Sequence, residues 1–198
     1  EMIENFDLSR ISLGAPVFDV DKLSWLNGRW LRETLDDGEF ADRVSEWALN
    51  RDNLLKIIPL VKERVDVFSQ LAPMISFFAE GMPEISPESL KVKNVEEEEV
   101  KKILQFSLWR LEAQRLWERD QLNELFANLA ESLGLKFRDV LAPIFVAISG
   151  KPVAPPLFDS MAILGPDICR ARLRHAVNIL GGISKKQVKR LEKEYKDL

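Results

Sequence analysis

Cysteine and histidine are nearly absent from this 198-residue chain: each occurs once, as Cys169 and His175. One cysteine excludes an internal disulfide framework and any multi-cysteine zinc site. One histidine excludes a His-rich metal centre and a His–His catalytic pair. No apolar run approaches a membrane span in length, and the first residues lack the basic-then-apolar order of a signal peptide. A cytoplasmic protein without a membrane partner is therefore expected. The P-loop, dinucleotide, nucleophile-elbow and zinc-protease motifs are missing as well. Sustained alternation of β-branched with polar residues is missing too, so the whole chain reads as all-α.

What is present suits a packed globular protein. Apolar residues make up 46% and charged residues 30%, and the net charge is −4. That balance argues against a generic nucleic-acid binder, but the charge is unevenly placed. From Lys136 onward 12 Lys/Arg stand against 6 Asp/Glu, a balance of +6, while the first 135 residues carry −10. A polyanion could therefore meet the C-terminal part while the rest stays acidic.

Helical periodicity and turn residues divide the chain. A short helix with Ile3 and Phe6 inward is expected before Gly14 and Pro16. Asp19 or Asp21 can cap the next, in which Leu23, Leu26 and Trp30 recur at helical spacing. Gly28 in mid-helix suggests close approach of another backbone or a ligand. DDGEF reads as a turn, and Pro59 and Pro73 are expected to break the following stretch into short helices. Residues 81–94 are rich in turn formers and offer the best boundary. Glu96 to Glu99 suit the positive end of a helix whose apolar face is Val100, Ile103, Leu104, Leu108 and Leu111. Leu122, Leu125, Phe126, Leu129 and Leu133 form another such face, closed by Gly134. Pro166 opens a helix at a permitted position, and Ser184 with Gln187 forms a capping box for a basic tail helix bearing Val188, Leu191 and Tyr195.

No residue asks to be a nucleophile or a base. His175 lies among Arg172, Arg174 and Ala176 and reads as a surface or half-buried helical residue, and Cys169 reads as a small core hydrophobe. Binding groups are easier to name. Residues 142–165 run from one apolar segment to another through a loop stiffened by Pro152, Pro155 and Pro156. That loop is either an ordinary helix connection or a platform for flat objects such as bases. Arg170 and Arg174, one turn apart, can present two guanidinium groups to phosphate. Trp25, Trp30, Trp47 and Trp109 read as core; Trp117, beside Arg115 and Arg119, stays open as a stacking residue.

Residues 17–33 hold Phe18, Asp19, Lys22, Leu23, Trp25, Asn27 and Gly28 in the order F-D-x-x-K-L-x-W-x-N-G. This resembles the segment that follows the class I catalytic domain of bacterial glutamyl-tRNA synthetases. A second match covers the Pro143-to-Gly150 run, Pro156–Leu157–Phe158, and Leu164–Gly165. The resemblance spans Phe6 to about Asn178 and implies a stem-contact segment (1–34) and two helical anticodon-binding subdomains (35–85 and 86–198) of the class I type. It implies the tRNA-binding part of a glutamate–tRNA ligase, inactive by itself, because the HIGH and KMSKS motifs that serve ATP and magnesium are absent. The implied partner is glutamate tRNA, held at its anticodon arm and inner stem by a monomer, with no role for DNA.

Residue by residue, the resemblance implies backbone contacts from Lys22 and Arg29 and places Arg64 where an arginine reads the first anticodon base. Arginine there goes with enzymes restricted to glutamate tRNA, and glutamine with relaxed ones. Ala154, Pro155 and Leu157 fall where the family packs against the last anticodon bases. Phe145 departs from the family, which often has arginine at that position; phenylalanine stacks but cannot donate, so that contact is either lost or supplied from elsewhere, with Lys151 as a candidate. That departure and the acidic total charge keep a second reading open: a helical protein-interaction domain or non-catalytic paralogue.

Overall fold

The computed structural model describes Asp7, Gly14 and residues 19–48, 50–93, 95–151 and 154–198. The expected N-terminal helix with Ile3 and Phe6, Phe18 of the first motif and Pro152 of the loop lie outside the described residues. Among those described there are ten α-helices, three 3₁₀ turns and no strand, as the sequence implied. The chain divides into two compact units, Glu1–Trp47 and Ala48–Leu198.

The first unit holds α1 (Val20–Glu33) and α2 (Asp37–Trp47). Asp19 caps α1 by accepting from the Lys22 amide at 2.9 Å. DDGEF is not a free turn: α2 begins within it, because Asp36 and Glu39 form a reciprocal capping box (2.8 and 3.2 Å). Neither helix buries a residue, and Trp25, Trp30 and Trp47 are 55%, 44% and 67% exposed, so the expectation of core tryptophans fails here. Their apolar stripe is correctly spaced but uncovered among the described residues. A Cβ on Gly28 would meet the guanidinium of Arg32 at 3.0 Å, the flexible end of a residue on the same helix rather than an approaching backbone.

In the second unit, α3 (Arg51–Val61) runs through Pro59, and α4 (Leu71–Ile75) contains Pro73. The helices are short as expected, but the prolines do not end them. Pro59 lies in the last turn of α3, and Pro73 in the first turn of α4, where the missing amide had no helical partner to lose. The 3₁₀ turns Lys62–Arg64, Phe68–Gln70 and Ser76–Phe78 complete this part.

The core is organised round α5 (Glu97–Ala113). Its expected face (Val100, Ile103, Leu104, Leu108 and Leu111) is buried against α6 (Arg119–Leu133), α7 (Phe137–Ser149) and α9 (Pro166–Ile179). The acidic residues at its start meet lysines one turn on: Lys101 reaches Glu97 and Glu98, and Lys102 reaches Glu99. Gly134 ends α6 in the left-handed region, as its sequence position suggested. The remaining helices are α8 (Leu157–Leu164), which packs on α3, α6 and α9, and α10 (Lys185–Lys196). The Ser184/Gln187 box starts α10 with bonds of 2.8 and 3.3 Å. Leu191 buries itself, and Tyr195 packs 5.1 Å from both the Phe106 and the Trp109 rings. This explains why Phe106, off the expected α5 face, is fully buried.

One glycine is required twice over. Gly150 ends α7 at φ 67°, and a Cβ there would lie 2.7 Å from the Pro83 Cβ. Gly150→Ala should therefore destabilise the protein by about 2–3 kcal/mol, from the left-handed backbone and the clash together. Urea unfolding measures this; a change within about 0.5 kcal/mol would mean that residues 83 and 150 do not meet as described.

Candidate functional site

Arg172 is the fixed point round which the expected site residues are arranged. It stands on α9 and is fully buried, yet the described residues bring no carboxylate against its guanidinium. Nε donates to the Gly81 carbonyl at 3.0 Å, Nη2 to those of Phe77 at 2.7 Å and Glu80 at 2.6 Å, and Nη1 to that of Ile148. Phe77 lies in the Ser76–Phe78 turn, Glu80 and Gly81 follow its exit, and Ile148 lies in the last turn of α7. Such carbonyls lack intrahelical partners and carry the negative end of the helix dipole. Their dipoles therefore take the place of an anion, and the planar fork of arginine serves diverging acceptors at once. Burial pulls the Arg172 pKa down, while Cys169 and Glu80 pull it up less.

Tied down in this way, residues 77–81 and the end of α7 enclose a shallow groove of about 430 Å³, lined by residues 80–84 and 149–151. At its edge the Lys151 ammonium donates to the Pro73 carbonyl and the Ser76 hydroxyl. The Ser149 hydroxyl donates to the Phe145 carbonyl at 2.8 Å and accepts from the Lys151 amide at 3.2 Å, which holds the loop entrance. Beyond the loop, Nη1 of Arg64 donates to the Ala154 carbonyl at 3.2 Å, joining positions 90 residues apart. Arg64 is exposed, and its other donors make no bond among the described residues.

The expected site residues thus fall into separate groups. Arg64 and Ala154 are brought together, with Pro155 and Leu157 close behind in the chain, while Lys151 bonds to Pro73 and Ser76. Ala154, Pro155 and Leu157 are buried, whereas Pro156 between them is exposed. Phe145 is half-buried against the core on α7. Arg170 donates to the Pro166 carbonyl and pairs with Asp167 at 2.9 Å, while Arg174 pairs with Glu112 of α5 at 2.7 Å. Each of these two arginines thus has a carboxylate partner at the surface. On α1, Lys22 is exposed, and Arg29 pairs with Glu33 while lying 5.2 Å over the Trp25 ring. Trp117 is not a free stacking surface: its indole Nε1 donates to the Met161 carbonyl at 2.7 Å and its ring packs on the core.

Arg172 is the residue that sequence reasoning passed over in favour of its neighbours. The signal was there, because Arg172 lies on the same helical face as Cys169, Leu173 and Ala176, all fully buried. An arginine in an apolar register position needs a buried partner.

Arg172→Met should cost about 3–5 kcal/mol, since it strands four carbonyls. Arg172→Lys should recover only part, because an ammonium cannot span the same fork. Urea unfolding of both variants measures this; equal stability of the methionine variant would refute the clamp. Burial pushes the Cys169 thiol up to about 12 against the opposing pull of Arg172 and Arg170. Alkylation of native protein at about pH 8 should therefore be negligible and become fast in urea; rapid native labelling would place Cys169 outside the core.

Comparison with known proteins identifies the family. The model of the anticodon binding domain family matches residues 39–177. A glutamate–tRNA ligase of Marinomonas sp. is 54% identical over 198 residues, covering 100% of this chain and 40% of that protein. That of Saccharophagus degradans is 49% identical over 195 residues, covering 98% and 39%. A crystal structure of a glutamate tRNA ligase from Elizabethkingia meningosepticum in complex with its amino acid shares the fold with a TM-score of 0.61 at 24% identity, over 90% of this chain and 36% of that one. The chain thus spans about 40% of the length of the curated relatives it matches. It belongs to the anticodon binding domain family and corresponds to the C-terminal anticodon-binding region of glutamate–tRNA ligases.

Proposed function

We propose that this chain grips the anticodon arm of glutamate tRNA at the joint between Arg64 and the 151–157 loop. The observation that carries this reading is the Arg64–Ala154 bond, which brings together two positions that the family resemblance independently ties to anticodon bases. It fixes one edge of the guanidinium and leaves the rest of the fork for a base edge, a preorganised donor suited to bidentate reading. Lys151 adds a cation at the loop entrance, and Phe145 supplies apolar surface in place of a donor. In this reading residues 1–34 meet the inner stem, while 35–85 and 86–198 meet the anticodon. The Arg29–Glu33 pair is half exposed and therefore weak, so Arg29 can exchange its carboxylate for an RNA phosphate at little cost.

The ligation itself, with ATP and magnesium, is assigned to the part of the longer relatives that this chain does not match. Among the described residues, no three His, Cys, Asp or Glu side chains form a group that could hold a metal ion. No described helix is long and apolar enough to cross a membrane. A monomer working in the cytoplasm, inactive as a ligase by itself, completes the proposal.

Gel shift with glutamate tRNA, glutamine tRNA and a glutamate tRNA altered at its first anticodon base tests this. The chain should prefer native glutamate tRNA, and Arg64→Gln should reduce the preference roughly 10-fold, the worth of one bidentate contact. An unchanged preference would remove Arg64 as the reader. Binding that is indifferent to the anticodon and to salt would favour a protein-interaction role.

A further inference from the structure

We infer that the outer face of α10 is a sequence-independent phosphate-binding strip that holds the same RNA by its backbone; the inference rests on the tRNA reading above. The helix lies beyond residues 39–177, the stretch that the family model matches. Lys185, Lys186, Lys189, Arg190, Lys193 and Lys196 are all exposed, and none has an ion-pair partner among the described residues. At about 100° per residue these six cations occupy an arc of roughly 140°. Leu191, Tyr195 and Val188 occupy the opposite side, where Leu191 is buried and Tyr195 packs on Phe106 and Trp109. The carboxylate of Glu194, which would dilute the strip at one edge, is drawn off to Lys102 of α5 at 2.9 Å. Glu192 lies outside the arc, and only Asp197, the C-cap, falls within it.

The chemistry of this strip selects its partner. A basic amphipathic helix can lie on a membrane only if its apolar face is free to enter the lipid. Here that face is spent on α5, so a bilayer would meet charge alone. Base reading needs planar forks or exposed rings, whereas five of the six cations are lysines, compact charges that fix position along phosphates without selecting sequence. With 12 residues the helix is about 18 Å long, enough to span several consecutive phosphates of one RNA strand. The capping box and the docked Leu191 and Tyr195 hold the cations in one geometry before RNA arrives.

The test is fluorescence titration of the full chain with glutamate tRNA between about 50 and 200 mM salt. The wild type is compared with a quadruple variant, Lys185→Gln, Lys189→Gln, Arg190→Gln and Lys193→Gln, and with Arg64→Gln. The quadruple variant should bind about 10-fold more weakly at low salt, with the slope of log affinity against log salt reduced by about 3. Its preference for the native anticodon should be unchanged, and its far-UV circular dichroism and melting should match the wild type. Arg64→Gln should show the converse, losing preference and keeping the slope. If the quadruple variant keeps both affinity and slope while the wild type still discriminates the anticodon, the strip is refuted and the anticodon reading stands. If the wild type binds no tRNA at all, both are refuted. Equal loss of binding to anionic lipid vesicles, with tRNA binding intact, would transfer the strip to a membrane and overturn its assignment to RNA.

Discussion

Four backbone carbonyls around the Arg172 guanidinium hold together parts of the chain that are far apart in sequence. A buried cation is expensive unless its surroundings compensate it, and dropping it into an apolar core would cost several kcal/mol. Here the compensation comes from the ends of two helical segments, whose own carbonyls would otherwise be orphans. Each side solves the other's problem: the arginine needs acceptors and the helix ends need donors. The consequence is positional. Residues 77–81 and 148 cannot separate without leaving either a bare charge or bare carbonyls, so the loop that follows Gly150 leaves α7 from a fixed point.

That fixed point gives the joint its character. Gly150 lets the chain turn sharply beside Pro83, Lys151 crosses to Pro73 and Ser76, and Ala154 receives Arg64. The elements on which the joint is built come from both expected anticodon-binding subdomains, yet within Ala48–Leu198 they belong to one compact unit. An anticodon is a short run of unpaired bases, and reading it calls for donors held still at several places at once. The Arg64–Ala154 bond and the Lys151 bonds to Pro73 and Ser76 hold donors in place at two points of this kind. In the proposed reading the same logic separates recognition from grip: a few oriented groups at the joint would select the RNA, while the lysine charges along α10 would add affinity without selecting sequence.

Most of the fold was legible because it rests on periodicity and caps. The α5 and α6 faces, the Gly134 terminus and the Ser184/Gln187 box all follow from local spacing, which needs no knowledge of the tertiary structure. Where the reading missed, the deciding contact was distant. Trp25, Trp30 and Trp47 have core-like spacing, but spacing says only that a face is apolar, not that anything covers it. DDGEF has the composition of a turn, yet the Asp36–Glu39 cap starts a helix within it. The carboxylate partners of Arg170 and Arg174, Asp167 and Glu112, do not follow from spacing alone. Arg64 was picked out by family resemblance, but its bond to Ala154 spans 90 residues and no local rule announces it.

The central claim is that the RNA is read where Arg64 and the loop after α7 meet. Hydrogen–deuterium exchange of the chain with and without glutamate tRNA tests this most directly. Protection should appear at residues 62–66 and in the 149–157 stretch, and weaken there alone when the anticodon is altered. Protection confined to other surfaces, with both of these stretches exchanging as in the free protein, would contradict the account.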